Sequence, residues 1–143
     1  MARKVVLAGA ALALAGCGDG RLSHAAYVKR ADAVCSAFAT RVPLLTRPKS
    51  YDAVAAYVER TLPLYADALD KLKALKPPRA DEPAVQAWLA ADAAVAAALR
   101  TLRAAALRKD PAATNDAANA LQGRSLDARK AASALGLQAC ASP

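Results

Sequence analysis

Asp92 is the side chain whose position most needs an explanation. On a helical wheel it falls between Trp88, Leu89, Val95 and Leu99, inside the apolar arc of its segment. A buried carboxylate is costly unless it is paired, so Asp92 requires a structural partner or a ligand. With Trp88 as an apolar wall and Tyr65 on a neighbouring segment, it composes a candidate small-molecule site. A structural ion pair is the plainer alternative. Asp32 lies nearer the rim of its own apolar stripe, where solvent or a partner in the same helix would satisfy it. Tyr57 and Tyr65 share a helical face and read first as core. His24 is the single histidine. Nucleophilic catalysis would need such an imidazole inside a cleft, oriented by a third group, whereas His24 stands at a helix start and reads as solvated. No metal-ligand spacing and no Gly-rich phosphate loop is present, so no metal, cofactor or enzymatic activity is expected.

The three cysteines, Cys17, Cys35 and Cys140, carry more information. Arg3 and Lys4 precede an apolar run from Val5 to Ala15. That run is shorter than the roughly 20 residues needed to cross a bilayer and has the form of a signal-peptide core. It closes on Leu14-Ala15-Gly16-Cys17, which resembles a bacterial lipobox. The resemblance implies diacylglycerol on the Cys17 thiol and cleavage just before it, giving a signal peptide over residues 1–16 and a lipidated tether over 17–22. A simple signal cut after Ala13 or Ala15 is the alternative. Lipidation takes Cys17 out of an odd cysteine count and leaves Cys35 and Cys140 as a pair, in a compartment where disulfides persist. Two buried free thiols remain the other possibility. The bridge would close a loop of about 105 residues, which the chain-entropy model credits with roughly 4–5 kcal/mol.

The elements that must position these residues are helices. Ser23 caps a segment running to about Val42, with Tyr27, Ala31, Val34, Cys35, Phe38 and Val42 on one stripe. Ser50 opens a second, to about Leu75, whose rhythm Pro63 interrupts; a kink near Glu59 to Pro63, or two shorter helices, is expected. Asp81 with Pro83 starts a third, to about Arg108, and Asp110-Pro111 a fourth, closed near Leu135 by Gly136. No segment shows strand alternation. Short connections favour an all-α, antiparallel four-helix bundle over residues 23–143. Cys35 lies about 18 Å up the first helix, and Gly136 to Cys140 span at most about 13 Å. The bridge therefore needs the tail to fold back along that helix.

Composition fits this design. The chain has 143 residues, 56% of them hydrophobic but only 4% aromatic, and a formal charge of +8. It forms helices readily and has few large side chains to fill a core. Lys71, Lys73, Lys76 and Arg79 follow the second helix, and Arg100, Arg103, Arg108 and Lys109 close the third. Cations at helix C-termini complement the dipole; the first group would also lie at the anchored end, against anionic headgroups. With so little aromatic content and no recognisable module, nucleic acid is a poor partner.

Tyr27 to Cys35 (Y-V-K-R-A-D-A-V-C), the Pro77-Pro78 break and the closing A-L-G-L-Q-A-C of Ala134 to Cys140 give the mature chain a resemblance to small alanine-rich lipoproteins of high-GC Gram-positive bacteria. The resemblance implies a location and a fold and carries no activity. The expectation is a non-enzymatic accessory lipoprotein on the extracytoplasmic face of the cell membrane, binding an envelope protein or other envelope component. The alternative is a small-molecule or lipid carrier with a pocket near Trp88, Asp92 and Tyr65.

Overall fold

The computed structural model describes residues 19–42 and 48–142. The expected signal peptide, the Cys17 lipidation site and residues 43–47 of the first linker lie outside the described residues. Four helices follow in chain order: α1 (His24–Arg41), α2 (Tyr51–Ala74), α3 (Glu82–Leu107) and α4 (Pro111–Ala134), with a single 3-10 turn at Arg79–Asp81 leading into α3. Among the described residues there is no strand, and no helix is long and apolar enough to cross a membrane.

Local chemistry sets the helix ends. The Ser23 and Ser50 hydroxyls accept the N–H groups of Ala26 and Ala53, each at 3.2 Å. Asp110 accepts that of Ala113 at 3.0 Å, directly before Pro111. Gly136, at φ +80°, terminates α4. There its N–H reaches the Ser133 carbonyl and that of Leu137 reaches the Ala132 carbonyl, the pattern of a left-handed C-terminal cap. Two expectations need correction. Asp81 precedes α3, but the 3-10 turn has already made its backbone helical, and its carboxylate makes no cap bond. It instead meets His24 Nδ1 at 2.7 Å. Further, α2 runs as one helix of 24 residues through Pro63, not as two shorter ones. Pro63 lies on the exposed face, where solvent can satisfy the carbonyl that its ring leaves unbonded.

The helices pack α1 on α2, α2 on α3 and α3 on α4. With 18 residues against 24, 26 and 24, α1 is the shortest and covers only the C-terminal half of α2. The interior accordingly divides in two. At the end carrying the α2–α3 connection, Tyr27, Ala31, Leu72, Val85, Trp88, Ala132, Leu135 and Leu137 form a core to which all four helices contribute. At the other end, Val58, Val95, Leu99, Leu102, Ala117 and Ala128 join α2, α3 and α4 only. Alanine at Ala96, Ala105, Ala106, Ala117, Ala128 and Ala132 of the buried α3 and α4 faces lets those helices approach closely.

The C-terminal tail folds back along α1 and completes the structure. Cys35 and Cys140 are joined, with their Cα atoms 5.1 Å apart. Three residues before Cys35, the Asp32 carboxylate accepts the backbone N–H groups of Gln138 at 3.0 Å, Ala139 at 2.9 Å and Cys140 at 3.3 Å. This corrects the expectation of a solvated or intrahelically paired Asp32. The expected tether is also more fastened than a free linker. The Leu22 N–H donates to the Lys76 carbonyl at 2.9 Å, and Arg21 reaches the Pro77 carbonyl at 3.1 Å and Glu82 at 3.2 Å. Asp19 in turn bonds Arg21 and Arg79.

One buried polar atom has no partner. The Tyr27 ring is 1% exposed and its hydroxyl meets no hydrogen-bonding group. Burial, with the Asp81 charge adding to it, pushes this phenol up to about 12. Leaving such a group unsatisfied costs about 1–3 kcal/mol. Tyr27→Phe is therefore expected to raise the denaturation midpoint, and a lower midpoint would show that the hydroxyl contributes favourably.

The tail is expected to dominate stability. A Cys35→Ser, Cys140→Ser double variant should lose at most about 4–5 kcal/mol in urea unfolding. Asp32→Ala with the bridge intact should lose about 1–3 kcal/mol and expose the amides of residues 138–140 to faster hydrogen exchange. Unchanged exchange at those three amides would mean that Asp32 does not hold the tail.

Candidate functional site

Because α1 is short and lies on α2, its C-terminal half faces α4 across a gap. The gap is a cleft of about 540 Å3. Its floor comes from Tyr57, Tyr65, Ala68, Leu69 and Leu72 of α2 with Asp92 and Val95 of α3. One bank is Cys35, Phe38, Ala39 and Val42 of α1, and the other Gln122, Ser125, Ala128 and Arg129 of α4. The folded-back tail closes one end with Ala139, Cys140 and Ser142. A smaller groove of about 220 Å3 lies between α1 and α2, lined by Arg41, Asp67 and Lys71 among others. Those three side chains are joined by ion pairs of 2.8 and 2.9 Å centred on Asp67.

Two of the three residues expected to form a ligand site meet in the larger cleft. The Tyr65 hydroxyl donates to Asp92 Oδ1 at 2.8 Å, and both side chains line the cleft. The third, Trp88, does not join them. It is 1% exposed and packs in the four-helix core with Tyr27 and Val85. The wheel position of Trp88 is that of Asp92 less one helical turn, and that turn carries it past the cleft floor into the neighbouring core. Its place as an aromatic wall is taken by Phe38, whose ring meets Tyr65 edge-on with centroids 5.4 Å apart, and by Tyr57. Phe38 was legible as a stripe residue of α1; that its stripe faces an opening was not.

The Asp92–Tyr65 pair is electrostatically uneven. Burial raises the Asp92 carboxyl above the ordinary aspartate range, and the hydrogen bond from Tyr65 only partly opposes that. Burial, reinforced by the Asp92 charge, pushes the Tyr65 phenol well up, so Tyr65 remains a donor at neutral pH. None of the ion pairs among the described residues includes Asp92. Oδ1 accepts from Tyr65, and among the described residues Oδ2 has no donor. The cleft therefore offers an apolar floor, aromatic walls and one carboxylate with a vacant acceptor. Arg129 stands on the opposite bank.

The remaining candidates lie elsewhere. His24 is at the start of α1, exposed, against Asp81. Among the described residues no group of three or more His, Cys, Asp or Glu side chains could hold a metal ion. Half of the eight residues in the two expected cationic groups have acidic partners: Lys71 bonds Asp67, Arg79 bonds Asp19, Arg103 bonds Glu59 and Lys109 approaches Asp52. Comparison with known proteins finds no matching family model, no matching curated relative and no matching solved structure.

The raised Asp92 carboxyl has a consequence for stability. Between the ordinary aspartate value, about 3.9, and the raised one, the folded chain binds more protons at this residue than the unfolded chain. The contribution of Asp92 is thus most favourable in acid and declines as pH rises through that window. Asp92→Asn keeps an acceptor for Tyr65 and is expected to melt above the native chain near pH 7, with the difference shrinking near pH 4. A difference that is independent of pH would show that burial does not penalise this charge.

Proposed function

We propose that the chain is a membrane-anchored, extracytoplasmic lipoprotein that serves as a non-enzymatic accessory module of the cell envelope, and that it works by holding a small apolar molecule in the cleft between α1 and α4. The observation that carries the binding half of this reading is the cleft itself. Its size is that of ordinary ligand pockets, its floor is largely apolar, and the Tyr65 hydroxyl and Asp92 carboxylate meet on that floor from two helices, opposite the polar side chains of Gln122, Ser125 and Arg129. The carrier alternative drawn from the sequence is thereby favoured over a partner-protein surface.

The anchoring half rests on the sequence. The charged start, the short apolar run and Cys17 at its end are the support, with Cys17 as the attachment point. The Cys35–Cys140 bridge adds to it, because it leaves Cys17 without a partner and suits an oxidising compartment. Stable anchoring takes two or more acyl chains.

Two measurements test the two halves separately. Intact mass of membrane-extracted protein, alkylated without reduction, should give a chain beginning at Cys17 with acyl mass added and no label on Cys35 or Cys140. An unacylated chain cut elsewhere would remove the anchor. For the cleft, an apolar envelope extract should raise the melting temperature, with a stabilisation approaching about 2.7 kcal/mol at a hundredfold excess over Kd. Ser125→Phe places a ring in the cleft from the α4 bank and should abolish that shift. A shift that survives the substitution would locate binding elsewhere.

A further inference from the structure

Resting on the cleft as the binding site, we propose that its occupant is an organic cation: a protonated amine or quaternary ammonium group on a compact apolar body, with the charge held at Asp92 and the body against the aromatic walls. Three observations converge on this class. Asp92 is a carboxylate that lines an otherwise apolar floor, with Oδ1 taken by the Tyr65 hydroxyl and Oδ2 bonded to no donor among the described residues. It belongs to none of the ion pairs among the described residues, although the chain carries 20 lysines and arginines against 12 aspartates and glutamates. Among the described residues the cationic excess supplies this carboxylate with no counter-ion, a role that a bound cation would fill.

The second observation is aromatic placement. The chain has six aromatic side chains, and Phe38, Tyr57 and Tyr65 line this one cleft. Phe38 and Tyr65 are locked edge to face, which fixes their ring faces relative to one another. Aromatic faces attract cations, most strongly where water is partly excluded. The third observation is the chemistry of the pair. Burial makes the free Asp92 carboxylate unfavourable, and a bound cation supplies a compensation that no ion pair among the described residues gives. A neutral ligand would leave that charge uncompensated, and an anion would be repelled. The competing charge is Arg129 on the far bank, which makes a carboxylate-bearing ligand the definite alternative outcome.

The test uses three probes of similar body and different charge, phenethylammonium, 2-phenylethanol and 3-phenylpropanoate, titrated calorimetrically into the full mature protein in nanodiscs, with empty nanodiscs as blank. The expected result is that phenethylammonium binds at least tenfold more tightly than 2-phenylethanol. Asp92→Asn should bring that ratio close to one. Phe38→Leu, which keeps the carboxylate, should lower the ratio by a smaller factor. Equal binding of all three probes would overturn the cation assignment while retaining the cleft as an apolar site. Preference for 3-phenylpropanoate, lost in Arg129→Gln, would overturn it in favour of an anion. No binding of any probe would overturn both the assignment and the reading of the cleft as a ligand site.

Discussion

The attachment of the C-terminal tail to α1 is the constraint on which the rest of the structure depends. α1 lies along α2, and its further hold on the bundle comes through residues 135–140. Only Tyr27 and Ala31 of α1 are fully buried, with Val28, Val34 and Cys35 packed beside them, a small apolar area by which to hold the helix and fix its register. Two devices of different character supply what packing does not. The Cys35–Cys140 bridge limits the unfolded ensemble by closing a separation of 105 residues. Asp32 acts on the folded side. Its carboxylate gathers three consecutive tail N–H groups, which orients the segment and satisfies backbone donors beyond the end of α4. The bridge brings the two strands of chain together, and Asp32 sets how they lie.

The cleft follows from that arrangement. A short α1, held near its middle by the C-terminal tail, covers the four-helix core and leaves the interval opposite α4 open. In a chain richer in large side chains, that interval would be filled. Here α4 offers Gln122, Ser125, Ala128 and Arg129 toward it, with no large apolar side chain among them to fill the gap. Phe38 leans on Tyr65 across the α1–α2 seam, so the largest side chain that α1 contributes to the cleft stabilises a wall without occupying the space. The same scarcity of bulk that makes the bundle dependent on a disulfide leaves it with a pocket.

Much of this was readable from local signals. Ser23, Ser50, Asp110-Pro111 and Gly136 mark helix ends because each acts on backbone groups within a few residues of itself. The pairing of Cys35 with Cys140 followed from counting, and Asp92 was conspicuous because a single helix wheel exposes a charge in an apolar arc. What was not legible depended on distant chain. Asp32 looked unremarkable since its partners lie 106 to 108 residues away and are backbone groups, which leave no trace in side-chain type. Trp88 shares a stripe with Asp92, and no wheel tells which of two cores a stripe residue enters. Asp81 had the right type and place for a cap, but the 3-10 turn ahead of it changed its backbone, and His24, 57 residues earlier, took its carboxylate.

The docked segment Asp19–Leu22 bears on how an anchored chain would sit. If acyl chains are carried at Cys17, only Gly18 separates that residue from a segment fixed to the α2–α3 connection by the Leu22 and Arg21 contacts. The bundle would then have little slack, at most about 7 Å for two residues, and its basal end would face the headgroups closely. Charge at that end does little to hold it there. Arg21 is engaged by Asp19 and Glu82, Arg79 by Asp19, and His24 by Asp81. Among the lysines nearby, Lys73 and Lys76 enter none of the described ion pairs. Two such charges add roughly 1 kcal/mol each near an anionic surface, far less than the burial of the acyl chains themselves. For a chain acylated at Cys17, attachment would therefore be a matter of lipid, and the acidic partners of the basal arginines serve to dock the N-terminal segment. That docking matters for the cleft, because it fixes the start of α1 at the basal end, as the tail fixes its middle, and leaves the C-terminal half facing α4 across the opening.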